Sequence, residues 1–368
     1  MAGYLRLLAV RRHTAGLSTF LVRGTPMRGV IAILATAAAV LAAGGAVAPG
    51  ALAAPTGGGP AAAPLLIGMV NGSGEAMVKQ GMTSAWVNEH SDVEQVAVAG
   101  DPADGPLIGI VTDSGAALVK EGSLSASWNI EVSSDVRAIA VATDATHGPL
   151  IAVLLWSGEL MVKEGSLTAA WNDEYSSAVE VSVASDTANG PLIALTNDSG
   201  EVLVKEGNLT AGWNNEWAAD NAAYVVVASD PANGPLIGIV TEGTVTDPFD
   251  NEAYVKEGSL DAGWHAEYAG VEQLTVASDS VNGPLIGVID TSGEALAKEG
   301  SLSAGWHDEY GNVAGMALGS DPVNGPLIGV QDIEDGPDGR LLVKTGALDA
   351  AWNVENTDVA PGAFDVSG

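Results

Sequence analysis

Seven tryptophans recur down this chain, Trp86, Trp128, Trp171, Trp213, Trp264, Trp306 and Trp352, at gaps of 42, 43, 42, 51, 42 and 46 residues. Each closes a near-copy of one unit, best seen as GPLIGVIDTSGEALAKEGSLSAGWHDEY at residues 283–310. The unit consists of short β-type runs broken by Gly, Asn, Asp and Pro. A run of that kind cannot bury an apolar face alone, and a period in the low forties stacks such units as propeller blades. The expected fold is all-β: a seven-bladed β-propeller of four-stranded blades over residues 64–368.

Within one unit the first strand is expected at 271–278, small and alternating as a strand crowded round an axis must be. An Asn-Gly turn leads to the second strand at 284–289, Thr291-Ser292-Gly293 turns the chain, and 294–299 forms the third. A longer connection brings Trp306 and a short outer strand. The first unit starts at Leu65 without its first strand, and the tail AFDVSG after Val359 aligns with the missing piece. The tail is therefore expected to complete the first blade, so that no sheet edge is left free at the seam. Two units carry insertions, at 243–251 and 332–339. Both fall between the second and third strands, where they leave the blade sheet unchanged.

Residues 1–53 lie outside the repeat. They hold Arg6, Arg11, Arg12, Arg23 and Arg28 with no acid, then an apolar run at 30–47 and small residues at Ala51 and Ala53. Those are the parts of an export signal, although the run is also long enough for a membrane anchor. Residues 54–63 form a flexible lead-in. Cleavage near Ala53 leaves nine bases against forty-six acids, so the formal charge moves from −32 to −37. A phosphate backbone or an anionic membrane meets a repulsive field there, which excludes nucleic acid and surface-bound membrane as partners. The chain has no cysteine, so a secreted protein of this kind is held by burial and closure alone.

Three positions never vary across the seven units. They are the Trp, a Glu three residues on (Glu89, Glu131, Glu174, Glu216, Glu267, Glu309, Glu355) and a Lys seven or eight residues before (Lys79, Lys120, Lys163, Lys205, Lys256, Lys298, Lys344), and these are all the lysines of the chain. Two roles fit. Each Lys pairs with a carboxylate of its own or the next blade under cover of the Trp, as in Lys205, Glu216, Lys256, Glu267, Lys298 and Glu309. Alternatively the three line a cleft and face a ligand. The Gly two residues after each Lys answers a backbone need for positive φ. In the DxxNGP turns the Asp is expected to bond its own turn backbone.

Four residues after the Trp the chain is mostly aromatic (His90, Tyr175, Trp217, Tyr268, Tyr310), and on an extended strand that residue faces the same side as the Trp. The residue after the Trp (Asn172, Asn214, His265, His307) shares the other side with the Glu. An aromatic plane ringed by polar groups is the material of a sugar site, and it is equally the material of packing between blades. The acidic insertion Asp332, Glu334, Asp335 and Asp338 only loosely resembles a calcium loop. No catalytic motif occurs: there is no thiol, no G-x-S-x-G or H-E-x-x-H, and the histidines are scattered. No cofactor and no enzymatic activity are expected.

This order of features, from the G-V strand to the basic residue, Gly and G-W, resembles the tectonin and tachylectin-like β-propellers, including bacterial seven-bladed lectins. It is also similar to the VKEGSLSAGW repeats of secreted actinobacterial proteins. The resemblance covers residues 64–368. It implies metal-free glycan sites in clefts between blades, carried here by Trp171 with Tyr175, Trp213 with Trp217, Trp264 with Tyr268 and Trp306 with Tyr310. The chain departs from that pattern in its low aromatic content, its GPLIG strand and its acidity. The resulting expectation is a secreted, monomeric, non-enzymatic ring that binds glycans or cell-surface polysaccharide. The alternatives are a protein-binding or structural ring and, last, a hydrolase using ring carboxylates.

Overall fold

In the computed structural model of the chain, the described residues are 65–101, 104–219, 221–243, 251–333 and 339–367. The expected signal segment 1–53 and lead-in 54–63 lie outside them. The described residues form seven antiparallel sheets of four strands each. Blades 2 to 7 span residues 93–132, 136–175, 178–217, 222–269, 271–310 and 313–359, each running from inner to outer strand in chain order. Blade 1 joins both ends of the chain. Its inner strand Phe364–Ser367 pairs antiparallel with Leu66–Val70, with Ile67 opposite Val366, and the third and outer strands follow.

The inner strands lie side by side round the ring. Val93–Asp101 neighbours Val136–Asp144, and so on through Val313–Asp321, which neighbours Phe364–Ser367, which in turn neighbours Val93–Asp101. The seam is thus closed as expected, by the tail. Inner and second strands are almost wholly buried, whereas the outer strands are half-buried or exposed. Sheet faces stacked against their neighbours bury both sides, which is why these strands read as near-continuous small and aliphatic runs.

The third residue of each LIG or LIA run shows what sets the spacing. A Cβ on Gly109 would stand 2.9 Å from Ile139 of the next blade, and one on Gly238 would stand 2.8 Å from Leu274. Gly68 is as tightly placed, 2.8 Å from Val98, while blades 3 and 4 carry Ala152 and Ala194 at this position. The recurring NGP glycine is required twice over. It sits at positive φ, 76° at Gly283, and a Cβ there would press on the carbonyl of Gly300, the glycine after the Lys, itself at φ 92°.

Register is the same in every blade: the Ile of the second strand faces the Lys of the third, as in Ile108 and Lys120 or Ile286 and Lys298. The two blades with insertions keep it, with Ile237 opposite Lys256 and Ile328 opposite Lys344. Lengthening that hairpin leaves the blade unaltered, as the sequence predicts.

Candidate functional site

The third strand ends in the Lys and the outer strand carries the Glu, so the two meet only where one blade's third strand lies against its neighbour's outer strand. Each Lys Nζ bonds the Glu of the preceding blade: Lys120 with Glu89, Lys163 with Glu131, Lys205 with Glu174, Lys256 with Glu216, Lys298 with Glu267 and Lys344 with Glu309. Lys79 of blade 1 reaches Glu355 of blade 7, so the same tie crosses the seam. Lys and Glu do pair, but the carboxylate comes from the preceding blade and not from the Lys's own or the next one: Lys205 and Glu216, which share a blade, are not partners. Neighbouring blades, not neighbouring strands, supply the second charge.

Each ammonium group is fully used. It also donates to a carbonyl of its own following loop, 2.9 Å from Lys205 to Leu209 and 2.6 Å from Lys79 to Met82. It lies over its own Trp ring, 4.7 Å from the centroid at Lys205 and 5.4 Å at Lys79. No lysine side chain in these pairs is more than 4 % exposed. The Trp indole completes the tie by donating to the backbone carbonyl of that same Glu, at 3.1 Å from Trp128 to Glu89 and 3.2 Å from Trp264 to Glu216. These lysines therefore face the neighbouring blade and not solvent. Burial pushes the Glu309 carboxyl up from its ordinary pKa while Lys344 pulls it back.

The aromatic residues four past the Trp are also placed across the junction. Tyr175 meets Trp213 edge-on at 6.1 Å, Trp217 meets Trp264 at 5.7 Å, Tyr268 meets Trp306 at 5.6 Å and Tyr310 meets Trp352 at 5.8 Å. The contacts named here are with the following blade's Trp, whereas the sequence pairs Trp171 with Tyr175, and Trp306 with Tyr310, within one unit. The expectation that this aromatic faces the same side as its own Trp fails: Trp213 meets blade 3 and Trp217 meets blade 5, because the outer strand bulges at Glu216, with Trp217 opposite Val202 and Asn215 opposite Leu203. The tyrosine hydroxyls are engaged across the junction: Asn197 donates to Tyr175 at 3.3 Å, and Tyr310 donates to Asp332 at 3.1 Å.

These aromatic pairs are half-buried, and beside them Asn172, Asn214, His265 and His307 are exposed on the outer strands. The amides bond weakly to the third strand, 3.4 Å from Asn214 to the Val204 carbonyl, and His265 Nδ1 lies 3.1 Å from Glu267. The imidazole beside a carboxylate is thus present at His265.

The DxxNGP aspartates act on their turns as expected. Asp186 Oδ1 accepts from the backbone N–H groups of Ala188 and Asn189 at 2.7 and 2.8 Å. What the sequence does not reveal is their second oxygen, which takes a hydroxyl from the next blade: Thr143 to Asp101 at 3.0 Å, with Ser185 to Asp144, Ser229 to Asp186 and Ser320 to Asp279 alike. A Ser or Thr precedes five of the six turn aspartates, Gly100 standing before Asp101, and that is the signal that recurrence offered.

Of the acidic insertion, Asp332 is buried and bound by Arg340; Glu334, Asp335 and Asp338 lie outside the described residues. Among the described residues no three His, Asp or Glu gather as metal ligands. The two carboxyls raised most by burial, Glu180 to about 7 against a pull down from Arg137, and Asp365 to about 8, sit on the inner strands of blades 4 and 1 and do not form a pair.

No family model matches the chain, and no curated relative matches it. Solved structures do, at low identity. A structure of BBS1N in complex with ARL6DN is 14% identical over 69% of this chain and 79% of that one, with a TM-score of 0.46. A triple arginine-to-alanine mutant of AofleA from Arthrobotrys oligospora is 10% identical over 75% and 90%, at 0.45. Apo AztD from Citrobacter koseri is 8% identical over 83% and 98%, at 0.43.

Proposed function

We propose that this chain is an exported, non-enzymatic ring that binds glycans through several equivalent sites at the rim, one in each groove where an outer strand meets the next blade. The observation that carries this reading is the aromatic pair repeated at successive junctions. At each, half-exposed rings of two blades meet edge-on beside an exposed amide or imidazole. Such a surface offers a ring face to sugar C–H groups and polar atoms to hydroxyls. The working residues are Tyr175 with Trp213, Trp217 with Trp264, Tyr268 with Trp306 and Tyr310 with Trp352, flanked by Asn172, Asn214, His265 and His307. The resemblance of the repeat to tectonin-type lectins supports the same class of ligand. Several weak sites on one rigid ring gain by avidity on a polysaccharide surface.

A protein-binding ring is the second reading, favoured by Val281 and Val323, which stand 68% and 77% exposed in the same turn of adjoining blades. A glycan array with the purified protein separates the two. Retention on the glycan that scores is expected to fall severalfold in the Trp217→Ala, Tyr310→Ala double variant, because two sites are lost from the avidity sum. Unchanged retention overturns the junction as the site.

A further inference from the structure

Four hairpins between second and third strands are short and built to one plan, in which a polar side chain at the first position caps the turn. Asn71 Oδ1 accepts from the N–H groups of Ser73 and Glu75 at 3.0 and 2.9 Å, Asn197 from Ser199 and Glu201 at 3.0 Å each, Asp290 from Ser292 and Glu294 at 2.8 and 3.0 Å, and Thr112 Oγ1 from Ala116 at 3.1 Å. Gly72, Asp113, Asp198 and Thr291 follow at the tip. Blade 3 breaks the plan. Leu155 replaces the capping residue and Trp156 occupies the tip, 60% exposed. A repeat that discards a local stabilising device at a single copy, and exposes its largest side chain there, has a use for that side chain.

The same blade has a second departure beside it. At the second residue of the inner strand, where other blades carry Glu94, Val179, Ala223, Glu272 and Ala314, blade 3 carries Arg137, and its guanidinium lies over the Trp156 ring at 5.7 Å. The seven lysines and Arg340 are bound to carboxylates at contact distance. Arg137 instead rests on an aromatic face, and the buried Glu180 of blade 4 is the acid that feels its charge. Burial raises that carboxyl to about 7 against the pull of Arg137, so below that pH it does not offset the guanidinium's charge.

We propose that Trp156 and Arg137 form a separate binding point, at the end of the ring that carries these hairpins, for a saccharide unit bearing a carboxylate. A guanidinium held over an aromatic ring keeps N–H groups for a planar carboxylate, and the exposed indole accepts the C–H face of the pyranose that bears it. At physiological salt charges beyond a screening length of about 8 Å count for little, so the carboxylate meets chiefly Arg137 and the few acids beside it, such as Asp135, whose carbonyl accepts from Trp156 N–H. The glycan-binding reading supplies only the class of ligand; the site shares no residue with the junctions.

The test is titration of the full chain, followed by tryptophan fluorescence, with a galacturonic-acid trimer and with the neutral galactose trimer of the same linkage. The parent is expected to bind the acidic trimer about tenfold more tightly, the scale of one charge-assisted pair. Trp156→Ala loses binding of both, and Arg137→Gln binds the two equally, each variant keeping a cooperative melt. Trp217→Ala leaves this binding intact, so failure here and failure at the junctions are told apart. Equal affinity for the two trimers in the parent overturns the proposal, as does no binding of either. Undiminished binding by Trp156→Ala, or preference for a polyglutamate decamer over the acidic trimer, also overturns it.

Discussion

The blades are joined twice, near the rim and near the axis, and the two seams are built on opposite principles. The rim tie of Lys, Glu and Trp is copied seven times, including where the tail meets the head. Near the axis the Asp and Ser or Thr contact recurs at the strand ends, but the side chains that bond backbone groups along the inner strands change from junction to junction, and only the Gln clasp is used twice. Gln95 clasps the backbone of Ile139 through both amide atoms at 3.0 Å, Gln273 does the same to Met316 at 2.9 Å, Ser182 accepts from Val227 N–H at 3.1 Å, the Tyr224 hydroxyl accepts from Leu274 N–H, and Asp365 accepts from Val98 N–H at 2.9 Å. At the rim the geometry is fixed by one register, so one set of residues serves everywhere. Toward the axis the backbones crowd, and whichever short polar group reaches a neighbour's free N–H suffices.

Removal of the tail tests the comparison most severely. Ending the chain at Val359 takes away the inner strand of blade 1 and with it both neighbours' packing partner. The expected result is loss of a cooperative melt and aggregation through the bared edge, read by calorimetry and light scattering. Rim ties alone would have to hold the ring, and a retained melting point would show that they do.

Next in size is the rim itself. Lys298→Met leaves Glu267 buried without its cation, at an expected cost of about 3–5 kcal/mol, measured by chemical denaturation. Replacing both partners by apolar residues, Lys298→Met with Glu267→Leu, is expected to recover most of that loss, because desolvation of the pair offsets much of its attraction. If the single change costs nothing, the tie is ornamental and the axis holds the ring.

The smallest and most specific effect is the pH dependence of the axial seam. Burial raises the Asp365 carboxyl to about 8, with the Val98 and Val366 N–H groups drawing it down. Its proton is kept in the folded state up to that pH but released near 3.8 in the unfolded chain. Between those limits the folded state binds more protons, so this group's contribution to stability falls as pH rises and is flat above about 8. Glu180 acts in the same direction up to about 7. Of the strands packed on Asp365, the one at 66–70 carries no titratable side chain, and the others carry Glu94, Asp101, Asp321 and Asp332, the last bound to Arg340. Asp365→Asn is expected to be more stable than the parent at pH 9 and to show a shallower loss between pH 5 and 8. Parallel curves for the two would place the titration elsewhere.

The rim was legible because recurrence inside one chain exposes what is needed seven times. Blade number, the four strands, the closing tail, the turn aspartates and the existence of the Lys and Glu pairs all follow from it. Its direction was not legible. Lys205 stands eleven residues from Glu216 and thirty-one from Glu174, and only the stacking of blades makes the distant one its partner. The same stacking moves Tyr175 to Trp213. Ser182 and Tyr224 escaped notice because they do not recur, Gln95 because it returns only once, as Gln273, and Arg137 and Trp156 because a departure is visible only once the tip it departs from has been seen.

Closure through Phe364–Ser367 also sets the order of events during biosynthesis. The strand that completes the first blade leaves the ribosome only after the six blades that follow Leu66–Val70, so all of that chain must wait with one apolar edge unsealed.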